Sequence, residues 1–130
     1  MIEYTVKVYD NGTKYWYLNG RYHREDGPAL EYASGSKHWF KDYQLHREDG
    51  PALEYANGSK CWYRYDQRHR EDGPAIEHST GNRSWYLNGI NISEEEFLRR
   101  TNPIPPELQV IKDLRVVAEK HGYKLTKEGE

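Results

Sequence analysis

Three copies of the segment His-Arg-Glu-Asp-Gly-Pro-Ala place an imidazole, a guanidinium and two carboxylates side by side. They span His23–Ala29, His46–Ala52 and His69–Ala75. Histidine and carboxylates are the usual general acids and bases of enzymes, and they also bind metals. An active site, however, needs one asymmetric cluster, and identical copies on successive repeats stand too far apart to share a metal ion. The segment therefore does not predict catalysis.

Two other roles stay open for this segment. In the first it is a structural corner, where histidines fill space under a chain connection, arginines pair with glutamates of the same or an adjacent unit, and aspartates satisfy turn backbone. In the second, three arginines form a row that binds anions or nucleotides: Arg24, Arg47 and Arg70.

The remaining reactive groups are isolated. Cys61 is the only cysteine, which excludes an intrachain disulfide and fits a reducing compartment. Its own unit offers no neighbouring histidine to activate it, so we expect an inert thiol. Glu31 is expected opposite His38, but one carboxylate and one imidazole do not make an enzyme. The sequence also lacks the Walker loop, the G-x-S-x-G and H-E-x-x-H motifs and the Rossmann fingerprint. We expect a non-enzymatic protein that needs no metal and no cofactor.

These residues recur because the chain is a tandem repeat. Glycines follow one another every 23 residues, at Gly12, Gly35, Gly58 and Gly81. The four tryptophans keep the same interval, at Trp16, Trp39, Trp62 and Trp85. Such self-similarity predicts stacked copies of one supersecondary unit.

Each unit has the pattern of a β-hairpin. In residues 29–40, two runs rich in aromatic and β-favouring residues flank Ser34-Gly35. A two-residue turn there sets Leu30 opposite Trp39. The glycine of each Glu-Asp-Gly-Pro segment is expected to take a positive φ. A second turn is expected at Asn19-Gly20, Asp42-Tyr43, Asp66-Gln67 and Asn88-Gly89.

This pairing predicts two different faces. The Trp and Leu/Ile side chains are assigned to a buried face, because that face is the most apolar and the most uniform among units. The opposite face is half aromatic and varies at one position: Tyr15, His38, Cys61 and Ser84. A varied position on a constant frame could serve recognition, although an ordinary solvent face also explains it. The predicted partner-binding residues are Tyr15, His38, Phe40, Tyr43, Tyr63 and Tyr65.

The unit resembles the MORN repeat, a β-hairpin with an aromatic-rich strand, a Gly turn, a His-containing segment and a second Gly. The matching residues are Trp39–His46 and Gly50, and the resemblance covers residues 5–92. More closely, it resembles the MORN-variant proteins with repeated HREDGPA units found in phages, giant viruses and bacteria. The resemblance implies a binding scaffold, and for a small free-standing chain a phage-encoded inhibitor that docks onto a host protein such as a defence or CRISPR nuclease. Because the His is followed by Arg-Glu-Asp rather than by Gly, the lipid association of MORN proteins is not expected.

Composition and charge narrow the function further. The 130 residues carry 19 Lys and Arg against 21 Asp and Glu. The sequence contains no long basic block that could neutralise phosphates, which argues against DNA sequence recognition. No stretch approaches transmembrane length, and the N-terminus lacks a secretion signal's apolar region. The expected location is the cytoplasm, which is the host cytoplasm for a phage-encoded chain.

The predicted fold is mostly β: an elongated antiparallel sheet of tandem 23-residue hairpins over residues 1–92, with an α-helical C-terminal cap over residues 93–130. Ser93 and Glu96 form a capping box that opens a helix through about Arg100, and Pro105 opens a second one. The tail is expected to cover the open end of the array, or else to be the partner-binding or dimerisation element.

The predicted function is protein–protein interaction. A small-ligand or nucleotide-sequestering protein is the first alternative, and a structural or virion spacer is the second. A sequestering protein needs its arginine row and its aromatic side chains on the same exposed side, which distinguishes it from an interaction module.

Overall fold

The computed structural model describes residues 3–102, which form fourteen strands and one helix. The helix, α1, is Glu94–Thr101. The strands are β1 Tyr4–Val8, β2 Lys14–Leu18, β3 Arg21–Tyr22, β4 Leu30–Glu31, β5 Lys37–His38, β6 Phe40–Lys41, β7 Gln44–Leu45, β8 Leu53–Glu54, β9 Lys60–Cys61, β10 Tyr63–Arg64, β11 Gln67–Arg68, β12 Ile76–Glu77, β13 Arg83–Leu87 and β14 Ile90–Ile92.

The strands form one long antiparallel sheet in the order β1-β2-β4-β5-β8-β9-β12-β13-β14, with β3 attached to β2. Two small ribbons, β6-β7 and β10-β11, stand apart from that path. Every 23-residue unit therefore contributes one hairpin to the long sheet and forms a second short hairpin, which stands apart from the sheet in the two middle units. The predicted fold class, a mostly β antiparallel sheet of tandem hairpins followed by a C-terminal helix, is confirmed.

The glycine turn is one residue longer than predicted. Leu30 lies opposite His38, not opposite Trp39. The N–H of Gly35 donates to the carbonyl of Tyr32, which leaves a three-residue loop with φ +99° at the glycine. A type I turn closed by a left-handed glycine and a bulge has this geometry. The two-residue turn predicted at Ser34-Gly35 is therefore wrong.

The second turn of each unit does have two residues, and both take a positive φ. The pairs are Asn19-Gly20, Asp42-Tyr43, Tyr65-Asp66 and Asn88-Gly89. Three of them match the prediction. The third is shifted by one residue from the predicted Asp66-Gln67, because Arg64 pairs with Gln67. Positive φ at both central residues defines the type I′ turn, whose twist suits a β-hairpin.

The longer glycine turn exchanges side chains between the two faces, since a slip of one residue turns every side chain over. One face carries a row of directly paired residues: Tyr15, Leu30, His38, Leu53, Cys61, Ile76 and Ser84. We call this side the tyrosine face. The varied position of the repeat thus lies beside the buried Leu and Ile side chains.

The other side, which we call the tryptophan face, carries a neighbouring row of alternating charge. Its directly paired members are Lys14, Glu31, Lys37, Glu54, Lys60, Glu77 and Arg83. Opposite charges on adjacent strands stabilise their pairing. Trp16, Trp39 and Trp62 belong to this face and are half-buried. The prediction that Trp and Leu/Ile share one buried face is therefore wrong.

The core is thin and built from small groups. Its fully buried side chains are Ala29, Ala52 and Ala75, next to Leu30, Leu53 and Ile76. The histidines of the three HREDGPA segments are also buried. The backbone joins units as well, because the N–H of Trp39 donates to the carbonyl of Ala52 at 2.7 Å.

Helix α1 begins as the sequence predicts. The hydroxyl of Ser93 accepts a hydrogen bond from the N–H of Glu96 at 3.1 Å, which is the N-cap interaction. A first compact unit ends at Phe97, which is buried, and a second begins at Leu98. The helix predicted from Pro105 lies outside the described residues, and the cap role of residues 93–130 stays a prediction. In the described part of the chain, no helix has the length and apolar character needed to cross a membrane.

Candidate functional site

A continuous set of aromatic rings covers the N-terminal part of the tyrosine face. Neighbouring ring centroids are 5.3 Å apart for Tyr9 and Tyr15, 5.9 Å for Tyr15 and Tyr32, 5.1 Å for Tyr32 and His38, and 6.2 Å for His38 and Tyr55. Most of these rings meet edge to face, which is a favoured geometry for aromatic pairs. The rings thus form a row that crosses several strands.

Tyr22 connects this row to further rings. Its centroid lies 6.0 Å from Tyr15, 5.2 Å from Tyr17 and 5.4 Å from Phe40. It also stacks on Tyr43 at 5.4 Å, with 17° between the ring planes. We call the complete set the aromatic surface, and its nine members are Tyr9, Tyr15, Tyr17, Tyr22, Tyr32, His38, Phe40, Tyr43 and Tyr55.

The aromatic surface ends where the repeat changes its side chains. The position that holds Tyr15 and His38 in the first two units holds Cys61 and Ser84 in the next two. Tyr22 is replaced by Leu45 in the next unit and by Arg68 in the one after. The frame of the sheet continues unchanged, so the array carries one asymmetric patch rather than a uniform face.

Every ring of the aromatic surface is partly exposed to solvent. Tyr43 is 61% exposed, Tyr9 45% and Tyr55 42%, and the other members are half-buried. Rings that pack on one another lose little conformational freedom when a partner covers them. The surface is therefore large, aromatic and held in place before binding.

Four of the six predicted partner-binding residues come together here: Tyr15, His38, Phe40 and Tyr43. The other two lie elsewhere. The hydroxyl of Tyr63 accepts a hydrogen bond from Nε of Arg68 at 3.2 Å. The ring of Tyr65 packs on His46 at 4.1 Å and is 58% exposed.

Sequence reasoning missed five members of the surface: Tyr9, Tyr17, Tyr22, Tyr32 and Tyr55. Of these, Tyr22 and Tyr32 join the predicted residues into one surface. Tyr22 holds a position that is not aromatic in the next two units, so a comparison of units does not single it out. Its pairing with Tyr17 across the Asn19-Gly20 turn was the available signal.

The pKa shifts found within the aromatic surface all favour the neutral form of the group concerned. Burial raises the pKa of Tyr32, and the neighbouring Tyr15 hydroxyl raises it further. Burial also raises the pKa of Tyr17 and Tyr55 above the ordinary tyrosine value. Burial lowers the pKa of His38, which favours its neutral form. Beyond the surface, burial raises the pKa of the Cys61 thiol and makes it less reactive.

The arginines of the HREDGPA segments lie on the tryptophan face, each flat against a tryptophan ring. The guanidinium carbon is 3.9 Å from the Trp16 centroid for Arg24 and 4.0 Å from that of Trp39 for Arg47. It is 3.8 Å from the Trp62 centroid for Arg70. This is cation–π geometry, in which the ring shields the cation from water.

Each guanidinium also donates hydrogen bonds to the aspartate of its own segment and to the glutamate of the strand that follows. Nε of Arg47 donates to Asp49 at 3.0 Å, and Nη1 donates to Glu54 at 3.3 Å and to the carbonyl of Pro51 at 3.1 Å. The hydrogen bonds from Arg47 lower the pKa of Asp49. Arg24 and Arg70 repeat these contacts in their own units.

The glycine of each segment makes room for the guanidinium. A methyl carbon on Gly50 would lie 2.8 Å from Cζ of Arg47, and the distances at Gly27 and Gly73 are 2.9 and 2.8 Å. The predicted positive φ at these three glycines is wrong, since the positive-φ glycines of the described chain lie in the hairpin turns instead. The glycine is required instead because it lets the arginine side chain of its own segment approach the backbone closely.

Toward solvent the segments present carboxylates rather than guanidinium groups. The side chains of Asp26, Asp49 and Asp72 are 86%, 88% and 85% exposed. The arginine side chains are 22%, 22% and 19% exposed. Successive segments border two equivalent clefts of 510 and 530 Å³ whose lining residues differ by one repeat.

The histidines of the segments hold the next unit in place. Nδ1 of His23 accepts a hydrogen bond from the N–H of Asp42 at 3.0 Å, and Nε2 lies 2.6 Å from Glu25. The hydrogen bond to His23 lowers the pKa of Glu25. The corner role predicted for the histidines and arginines matches these contacts. Among residues 3–102, no group of three or more His, Cys, Asp or Glu side chains is arranged to hold a metal ion.

Comparison with models of protein families, with curated protein sequences and with solved structures gave no match.

Proposed function

We propose that this chain is a non-enzymatic protein-binding module and that its partner docks on the aromatic surface. The observation that carries the proposal is the continuous contact of nine rings on one face, three of them more than 40% exposed. Contiguous exposed apolar patches of this kind mark interaction sites on soluble proteins.

The chemistry of the surface favours a protein partner. Tyrosine supplies a large, rigid contact area with few rotatable bonds, and its hydroxyl bonds to backbone or side-chain groups. Since the surface consists of aromatic rings and burial favours the neutral forms of Tyr32 and His38, we expect affinity to depend little on salt.

The position of the arginines argues against sequestration of nucleotides. A nucleotide needs cations for its phosphates close to aromatic rings for its base. Arg24, Arg47 and Arg70 lie on the face opposite to the aromatic surface, and each is hydrogen-bonded to two carboxylates. Binding of a phosphate there would have to displace those carboxylates.

The resemblance to MORN-variant repeats adds a class of partner to this proposal. A phage-encoded chain of this kind would bind a host enzyme, such as a defence or CRISPR nuclease, and inhibit it. The aromatic surface is the part of the array that we expect to contact such an enzyme.

Affinity capture from a bacterial lysate tests the proposal when the wild-type chain is compared with two variants of the aromatic surface and one control variant. Tyr9→Ser and Tyr55→Ser each remove an exposed ring from the aromatic surface. Tyr65→Asn is the matched control, because it removes an exposed ring outside the surface and introduces the residue found at Asn19 and Asn88. We expect one stoichiometric protein with wild type and with the control, and its loss with the first two variants.

Calorimetry with linear and cyclic nucleotides is the opposing test. Binding with a micromolar or smaller dissociation constant that disappears in the Arg24→Ala, Arg47→Ala and Arg70→Ala variants would contradict the proposal and support sequestration.

A further inference from the structure

Strand β1 forms one edge of the long sheet that residues 3–102 build. All five residues of Tyr4–Val8 are exposed, and among the described residues β1 pairs with β2 alone. It is among the longest strands of the sheet and has β-favouring residues at four positions. Open edges of this length and composition are templates for a further strand.

The hydrogen bonds between the two ends of β1 and its neighbouring chain segment show which backbone groups of β1 point outward. The N–H of Tyr9 donates to Thr13, and the carbonyl of Glu3 accepts from the N–H of Asn19. Since backbone groups alternate in direction along a strand, residues at odd positions face β2. The N–H and C=O groups of Tyr4, Val6 and Val8 therefore point away from the sheet.

We propose that this edge binds the same edge of a second copy of this chain, antiparallel and centred on Val6. In this register Val6 lies opposite Val6 of the second copy, and Tyr4 lies opposite Val8. All three outward-facing residues of each chain then find partners, which gives six backbone hydrogen bonds between the copies. A register centred on Tyr4 or Val8 leaves some of these groups unpaired.

The side chains fit the same register. On the tryptophan face, Tyr4 and Val8 are 67% and 65% exposed in the single chain, and pairing brings each against the other. On the tyrosine face, Thr5 lies opposite Lys7 of the second copy, so no like charges meet directly. The other edge strand, β14, has only three residues and offers a shorter match.

An antiparallel edge contact of this type has its two-fold axis perpendicular to the sheet. Both tyrosine faces therefore look in the same direction. Lys7 pairs with Tyr15, so the contact lies next to the aromatic surface in each copy. The dimer would present two aromatic surfaces on one side, which favours a partner with two equivalent sites.

The dissociation constant of the dimer, measured by sedimentation equilibrium on the full chain, tests this register. Thr5→Glu places a carboxylate opposite Lys7 at two symmetric positions, and Thr5→Lys places two lysines there. From the usual strength of cross-strand pairs, we expect Thr5→Glu to tighten the dimer by about 2- to 30-fold and Thr5→Lys to weaken it by a similar factor. The turn residue Thr80 lies away from this edge, and Thr80→Glu and Thr80→Lys should leave the constant unchanged.

Three results would overturn the proposal. The first is a wild-type chain that stays monomeric at every concentration. The second is a shift in the same direction for both Thr5 variants. The third is growth beyond a dimer, which would indicate head-to-tail pairing of β1 with β14. Because the readout is self-association, it does not depend on whether the proposed function is correct.

Discussion

Nδ1 of His46 accepts a hydrogen bond from the backbone N–H of Tyr65 at 3.1 Å, which ties one repeat to the turn of the next. Asn88 donates to His69 in the same way at 2.9 Å. In a repeat array each unit contacts mainly its neighbours, so such bonds between units carry much of the stability.

We expect His46→Ala to lower the free energy of unfolding by about 2–4 kcal/mol. The substitution leaves a cavity and removes the acceptor of the Tyr65 N–H. Denaturant unfolding followed by tryptophan fluorescence measures the change. The control is His78→Ala at an exposed position, where we expect less than about 0.5 kcal/mol. Equal effects of the two substitutions would refute the role of His46 as a link between units.

Gly50→Ala should destabilise the chain by about 1–3 kcal/mol, because its methyl group meets the guanidinium that Trp39 and two carboxylates hold in place. The same substitution in an Arg47→Ala background should be neutral or stabilising, since the obstacle is gone and Ala restricts the unfolded chain. A cost that is independent of Arg47 would instead indicate that the backbone conformation requires glycine.

Stability should fall as the pH drops from about 7 to about 5, and His38 should contribute to that fall. Burial lowers the folded pKa of His38 below its usual value of 6.5, so the unfolded chain binds more protons in this interval. The contribution of His38 is therefore complete at neutral pH and is lost on acidification.

The control for this pH dependence is His38→Ser, which introduces the residue found at Ser84. All other titrating groups are common to both proteins, so the difference between their slopes isolates His38. We expect a shallower slope for the variant in unfolding free energy against pH. A steeper slope would mean that the fold stabilises the charged imidazole.

The sequence predicted the units, their hairpins and the N-cap of helix α1, because glycine spacing, paired turns and a capping box are local signals. It did not predict the pairing register. A three-residue turn and a two-residue turn both place a glycine before the second strand, and only the backbone conformation at Ser34 and Gly35 distinguishes them. The one additional residue in the turn therefore decides which side chains share a face.

The candidate site was predicted only in part, because local signals identified some of its residues and contacts between units identify the others. Tyr15 and His38 stood out because they occupy a varied position, and they do lie in the aromatic surface. Tyr65 was grouped with them by residue type alone, although its ring packs on His46 instead. Contacts between units separate these cases, and no spacing within one unit reveals them.

The most direct test of the account is the dissociation constant of the captured partner for two variants that preserve their turns. Tyr43→Gly introduces the residue at Gly20 and Gly89, and Tyr65→Asn introduces the residue at the other central position of the same turn in the first and last units. The two rings are almost equally exposed, and only Tyr43 belongs to the aromatic surface. Calorimetry should show at least about tenfold weaker binding for Tyr43→Gly and little change for Tyr65→Asn. Unchanged affinity for Tyr43→Gly, together with a loss for Tyr65→Asn, would contradict the aromatic surface as the binding site.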